Sequence, residues 1–148
     1  MEKSYGICKL SFAPLRALPA HSSQMVSQLL FGMGYEVLAT EDKWFKVKVL
    51  FDGYEGYLHR AQHFGCSEES LKVPRYVARD YQASNPPILP GSELFSPQPF
   101  RPVEQTWRDW LGVPYLWGGI SIWGTDCSGF VQTLYKIAGV ALLRDSKD

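Results

Sequence analysis

The stretch that most constrains this chain runs from Tyr115-Leu116-Trp117-Gly118-Gly119 to Asp126-Cys127-Ser128-Gly129-Phe130. From Cys127 onward, Phe130, Val131, Leu134, Ile137 and Ala138 recur at helical spacing until Gly139, which predicts an amphipathic helix with the cysteine at its N-terminus. A helix start carries unpaired N–H groups and the positive end of the macrodipole, and both favour thiolate over thiol. The same N–H groups suit a developing oxyanion. Gly129 keeps the first turn bare beside the sulfur, and Gly118-Gly119 permit a backbone course that side chains would block. The competing reading of such a cysteine is a small, buried and inert side chain.

Upstream, residues 8 to 62 read as short strands. Tyr35 to Thr40 is one; Trp44 to Phe51 is another, with Phe45, Val47, Val49 and Phe51 on one face. Asp52-Gly53 then predicts a two-residue hairpin loop leading into Tyr54-Glu55-Gly56-Tyr57-Leu58. Short strands with tight turns between them predict a small barrel that protects its own edges. From about Val77 to Pro102 six prolines fall among Ser, Asn and Gly. That is a linker between domains, or a segment extended against one. A helix is expected from Val103, with Trp107, Trp110 and Leu111 as its apolar face, Gly112 as its end and Pro114 as a stop.

Formal charge is balanced at 15 basic and 15 acidic residues, and no basic stripe argues for nucleic acid. No apolar run is long enough to span a membrane. Pro14 and Pro19 break up the N-terminal region, which lacks the continuous apolar stretch of a secretory signal. Cys8, Cys66 and Cys127 are widely spaced and suit a reducing compartment, so the expected location is cytoplasmic, or periplasmic or envelope-associated if a leader was removed. His59, His63 and Cys66 have the spacing of a metal half-site, but a closed site needs a fourth ligand, and a polar exit from the barrel is the expected role. No metal or cofactor is expected.

Tyr-x-Trp-Gly-Gly, a short loop and Asp-Cys-Ser-Gly-Phe at the head of an amphipathic helix resemble the NlpC family of papain-like cysteine peptidases, which cut peptides of the bacterial cell wall. The resemblance runs from about Thr106 to the end and includes Leu143-Arg144-Asp145. The strand region resembles a bacterial SH3-like domain through Ala13-Pro14-Leu15-Arg16, Met25 to Gly32, Tyr35-Glu36-Val37-Leu38, Trp44-Phe45-Lys46-Val47 and Tyr54-Glu55-Gly56-Tyr57. The expected fold is mainly β with an α+β C-terminal part. An SH3-like barrel covers residues 1–64 and a connecting segment 65–102, Pro-rich from 86. The N-terminal helical part of an NlpC-type domain, incomplete, then covers 103–148.

The resemblance implies that Cys127 is the nucleophile, Asp126 a binder of the substrate's free α-amine, and Tyr115 an aromatic facing the sulfur. It makes Ser128 a contact for the γ-D-glutamyl group and Trp117 part of the cleft wall. Against each stands a packing role: Tyr115 and Trp117 as core aromatics, Asp126 as an N-cap, Ser128 as a first-turn residue. The implied substrate is a murein-derived peptide with a free N-terminal L-Ala, cut between γ-D-Glu and a diamino acid during cell-wall recycling. Two departures stand out. Gln24 occupies a place where several relatives have an acid near the amine pocket. The family's general base is a histidine well beyond the nucleophile helix, whereas His21, His59 and His63 all precede the proline-rich stretch. The chain is therefore expected to be inactive alone, with Phe130, Leu134 and Ile137 short of partners and a tendency to self-associate through that helix. A shortened peptidase, a non-catalytic SH3-like module that binds muropeptide or a protein, and completion by another chain all fit these residues.

Overall fold

The computed structural model describes residues 3–147. Seven antiparallel strands form its largest sheet: β1 (Ser4–Ile7), β2 (Phe12–Arg16), β3 (Met25–Leu30), β4 (Gly34–Glu41), β5 (Trp44–Val49), β6 (Glu55–His59) and β7 (Gly65–Cys66). Their order is β3-β2-β6-β5-β4-β1-β7. Buried Leu15, Leu29, Tyr35, Val47, Val49 and Leu58, from five different strands, meet in one cluster. One face of the sheet is therefore the core face, as the period-2 pattern of its strands predicts. The sheet runs to Cys66, past the boundary expected at residue 64, because β7 pairs with β1.

The expected two-residue hairpin is longer. Val49 and Tyr54 close the turn, with the Val49 N–H donating to the Tyr54 carbonyl at 2.8 Å and that of Gly53 to the Val49 carbonyl at 2.9 Å. Phe51 lies in this loop rather than in β5, and Gly53 supplies the positive φ of 75° that the loop needs.

The proline-rich segment is no free tether. After the single-turn helix α1 (Glu68–Lys72), β8 (Tyr76–Val77) pairs with β9 (Glu93–Leu94). The chain between them buries Ala78, Ile88 and Leu89. Leu89 joins the barrel's own core cluster, and burying a side chain of that size contributes roughly 1.5–3 kcal/mol. The Glu93 N–H donates to the Phe31 carbonyl at 2.8 Å and fixes the segment on the barrel.

The helix expected from Val103 is one α-turn, α2 (Val103–Thr106), tightening into a 3-10 turn over Trp107–Trp110. The tighter winding rotates the side chains. Of the expected apolar face Trp110 alone is buried, at 5 % exposure against 40 % for Trp107 and 70 % for Leu111.

A two-stranded hairpin, β10 (Ile120–Ser121) with β11 (Gly124–Thr125), leads into α3 (Cys127–Ile137). Leu134 and Ile137 are 4 % and 1 % exposed, so the expectation that they lack partners is corrected. The Thr133 hydroxyl donates to the Ile120 carbonyl at 2.9 Å. Phe130 meets Trp110 edge-on at 5.7 Å, and the Arg101 N–H reaches the Ile137 carbonyl at 3.3 Å. The connecting segment and α2 thus cover one face of α3, while Val131 and Tyr135 on the other are 44 % and 40 % exposed. No helix among the described residues is long and apolar enough to cross a membrane.

Candidate active site

Cys127 is the first residue of α3 and is exposed. That excludes an inert buried thiol. Its position is set by Asp126, the N-cap, whose extended backbone turns the chain into the helix while Oδ1 accepts the Gly129 N–H at 2.7 Å. The other oxygen, Oδ2, accepts the N–H of Gly118 at 2.9 Å, so one carboxylate ties the glycine loop to the helix. Gly118, at φ 78°, passes so close to the edge of β3 that a Cβ there would stand 2.6 Å from the Met25 carbonyl oxygen. A Cβ on Gly129 would run into the carbonyl oxygen of Gly119.

Arg144 completes this arrangement from the segment after α3. Its guanidinium, with the side chain 1 % exposed, grips Asp126 through both nitrogens of the fork, Nη1 to Oδ1 at 3.1 Å and Nη2 to Oδ2 at 2.8 Å. Nη1 also donates to Ser128 Oγ at 2.8 Å, and Nε donates to Ser27 Oγ of β3 at 3.2 Å. Burial pushes the Asp126 carboxyl up, but the Arg144 fork and the Gly129 and Gly118 N–H groups outweigh it and hold it below its ordinary value. Asp126 is thus a cap and an ion-pair partner at once. Both of its oxygens are engaged by internal donors.

A cavity of about 450 Å³ opens in front of the sulfur. The expected residues Tyr115, Trp117, Asp126, Cys127 and Ser128 all line it. Tyr115 and Trp117 are 67 % and 60 % exposed, which removes the core-packing reading for both. The barrel contributes Gln24, Val26 and Tyr54, and the C-terminal segment Asp145, Ser146 and Lys147. The Tyr54 hydroxyl reaches Asp145 Oδ2 at 3.5 Å across the junction. A more apolar hollow of about 330 Å³, with Val131, Leu142 and Leu143 in its wall, also borders Cys127.

Sequence reasoning missed Arg144 as the partner of Asp126, and Tyr54, Asp145 and Lys147 as lining. The available signal was Leu143-Arg144-Asp145, which carried a family resemblance without a role. None of the three histidines lines either hollow. His59 packs edge-on against Trp44 at 5.0 Å and lies 4.8 Å from the His21 ring. His63 Nδ1 meets the Tyr35 hydroxyl at 3.1 Å. The two imidazoles of the supposed half-site therefore face different partners, and among the described residues no group of three or more His, Cys, Asp or Glu side chains is placed to hold a metal.

Residues 15–62 match the family model described as the bacterial dipeptidyl-peptidase SH3 domain, and residues 112–148 match that of the NlpC/P60 family. The γ-D-glutamyl-L-lysine dipeptidyl-peptidase of Bacillus subtilis is 52 % identical over 46 residues, which are 31 % of this chain and 16 % of that protein. Dipeptidyl-peptidase 6 of Lysinibacillus sphaericus is 42 % identical over 45 residues, 30 % of this chain and 17 % of that one. The matches thus span about a sixth of these relatives' length. The crystal structure of an NlpC/P60 family protein from Bacillus cereus superposes with a TM-score of 0.78 at 19 % identity, over 98 % of this chain and 75 % of that one. An NlpC/P60 endopeptidase from Photobacterium damselae subsp. piscicida gives 0.62 at 18 % identity, over 96 % and 44 %. At these identities the superpositions speak to the fold, which is mainly β with an α+β C-terminal part. An SH3 match over residues 15–62 followed by an NlpC/P60 match over residues 112–148, on a fold shared with NlpC/P60 structures, supports the resemblance to an NlpC/P60 peptidase with an N-terminal SH3 domain.

Proposed function

We propose that this chain carries the nucleophile and the substrate cleft of a cell-wall peptidase acting on γ-D-glutamyl-L-diamino acid bonds. The observation that carries the proposal is an exposed Cys127 at a helix N-terminus, opening on a cavity walled by exposed aromatic and charged side chains. The name of the Bacillus subtilis relative supports the γ-D-glutamyl class. In this reading the Cys127 thiolate adds to the γ-glutamyl carbonyl, the oxyanion lies against the first turn of α3, and the diamino acid leaves as its amine once protonated. Water then cleaves the thioester.

The engaged oxygens of Asp126 shift the binding of the substrate's α-amine to Asp145, which lines the same cavity beside Tyr54. Lys147 supplies a counter-charge for the α-carboxylate of the D-glutamyl residue, and Trp117 and Tyr115 form the walls. A thiol needs a proton acceptor, and no imidazole among the described residues lines the cavity. The expected behaviour of the chain alone is binding without turnover.

The test is calorimetric titration with L-Ala-γ-D-Glu-L-Lys, alongside an assay for release of free L-Lys. Binding that Asp145→Asn weakens at least tenfold, with no release, supports the proposal. No binding at millimolar peptide overturns it. Release that depends on Cys127 would keep the chemistry and overturn the expectation of binding without turnover.

A further inference from the structure

We infer that Arg144 is a positioning residue for Cys127: its buried guanidinium cancels the charge of Asp126, so the neighbouring sulfur ionises beside a neutral pair instead of beside a carboxylate. This rests on the reading of Cys127 as the nucleophile. Asp126 immediately precedes Cys127 and must stay at the N-cap, because its carboxylate holds both Gly129 and Gly118. An uncompensated negative charge there would oppose a thiolate one residue away and offset what the helix N-terminus contributes. The fork of Arg144 meets both carboxylate oxygens at 3.1 and 2.8 Å with 1 % of its side chain exposed. In so dry a place the compensation is little screened by solvent or salt.

The other charged or titratable groups around the cavity are Tyr54 from the barrel, Tyr115 from the glycine loop, and Asp145 and Lys147 from the C-terminal segment. Asp145 and Lys147 are of opposite sign and border open solvent. The balance at the sulfur is therefore set by Asp126 and Arg144. Lysine is no substitute, since a point charge cannot meet Oδ1, Oδ2 and the Ser128 hydroxyl together. Ser27 of β3 orients the fork by accepting from Nε at 3.2 Å, so the barrel takes part in setting the thiol's charge environment.

The experiment is the pH dependence of iodoacetamide labelling of each cysteine in the full chain, read by peptide mapping. Cys8, 1 % exposed, reports unfolding. In the unaltered chain Cys127 is expected to label faster than Cys66 at pH 7. If it does not, the nucleophile reading fails before Arg144 is in question. Given that order, Arg144→Gln is expected to raise the Cys127 midpoint by about one pH unit and to slow labelling at pH 7 about tenfold. Asp126→Asn/Arg144→Gln is expected to return the midpoint close to that of the unaltered chain. An unmoved midpoint in Arg144→Gln, with Cys8 still protected, overturns the inference. Should Arg144→Gln expose Cys8, comparing Asp126→Asn with Asp126→Asn/Arg144→Gln reads the same guanidinium charge, and equal midpoints there overturn it too.

Discussion

The backbone N–H of Ile120 donates to the side-chain Oε1 of Gln28 at 3.1 Å, and both residues are buried. One amide of β3 thereby fixes the start of the hairpin that delivers the chain to Cys127. Gln28→Leu keeps the bulk and leaves that N–H without its partner. The expected loss is about 1–3 kcal/mol, measured by urea unfolding. A change below about 0.5 kcal/mol, the range of an ordinary surface substitution, would show that this bond does not hold the hairpin to the barrel.

A second tie, between α3 and the connecting segment, is ionic. Lys136 Nζ, its side chain 6 % exposed, lies 3.1 Å from Glu93 Oε1 and 4.2 Å from the centroid of the Phe51 ring. Arg75 Nη1 approaches the other oxygen of Glu93 at 3.7 Å. Removing the carboxylate with Glu93→Ala strands two cations in a dry place, at an expected cost of about 3–5 kcal/mol. Adding Lys136→Met is expected to recover much of that loss, because an apolar chain of similar length tolerates the site. A double variant no more stable than Glu93→Ala would mean that the cost comes from packing and not from the stranded charge.

The helix carrying Cys127 was legible because its signals are local: apolar residues at helical spacing, Asp126 before the first turn and Gly139, at φ 85°, after the last. The barrel strands were legible for the same reason, apart from the loop that Val49 and Tyr54 close. Proline-rich composition hid the packed course of residues 77–94, since prolines mark extended chain without saying whether it is free or buried. Leu89 belongs to the barrel core through tertiary contact alone. Arg144 and Asp126 pair across 18 residues of chain. That distance leaves no periodic signal, so the pairing of Asp126 was not readable from the residues around it. Trp107 and Leu111 were misplaced because the tighter 3-10 winding after Thr106 breaks the spacing on which their assignment rested.

Tyr35 and His63 couple the barrel core to pH. The Phe64 N–H donates to Tyr35 Oη at 3.3 Å, and the Tyr35 hydroxyl meets His63 Nδ1 at 3.1 Å. With Nδ1 as acceptor the ring is neutral. Burial lowers the His63 pKa below its ordinary 6.5, so the unfolded chain takes up the proton more readily. The resulting stability is full above pH 6.5 and falls as the pH drops through the folded midpoint. A proton NMR titration is expected to place the His63 midpoint below 6.5, and His63→Gln to flatten stability between pH 7 and 5. A midpoint at or above 6.5 would refute the neutral-acceptor assignment.

Asp126 governs a separate, more acidic limb. Its folded pKa lies below the ordinary 3.8, because the Arg144 fork and two backbone N–H groups outweigh burial. The unfolded chain therefore protonates first as the pH falls. Stability from this group is complete above about pH 4 and drains away as the pH passes below 3.8 through the folded value. Asp126→Ala removes the acid limb and also leaves Arg144 as a buried, unpaired cation, with an expected cost at pH 7 of about 3–5 kcal/mol. Asp126→Asn keeps acceptors for part of the network and is expected to cost less. Unfolding by urea at pH 7 and at pH 3 separates the two effects, since the gap between the unaltered chain and Asp126→Ala must narrow at the lower pH. An equal gap at both would show that the carboxylate's charge contributes nothing and that Asp126 acts as a hydrogen-bonding cap alone.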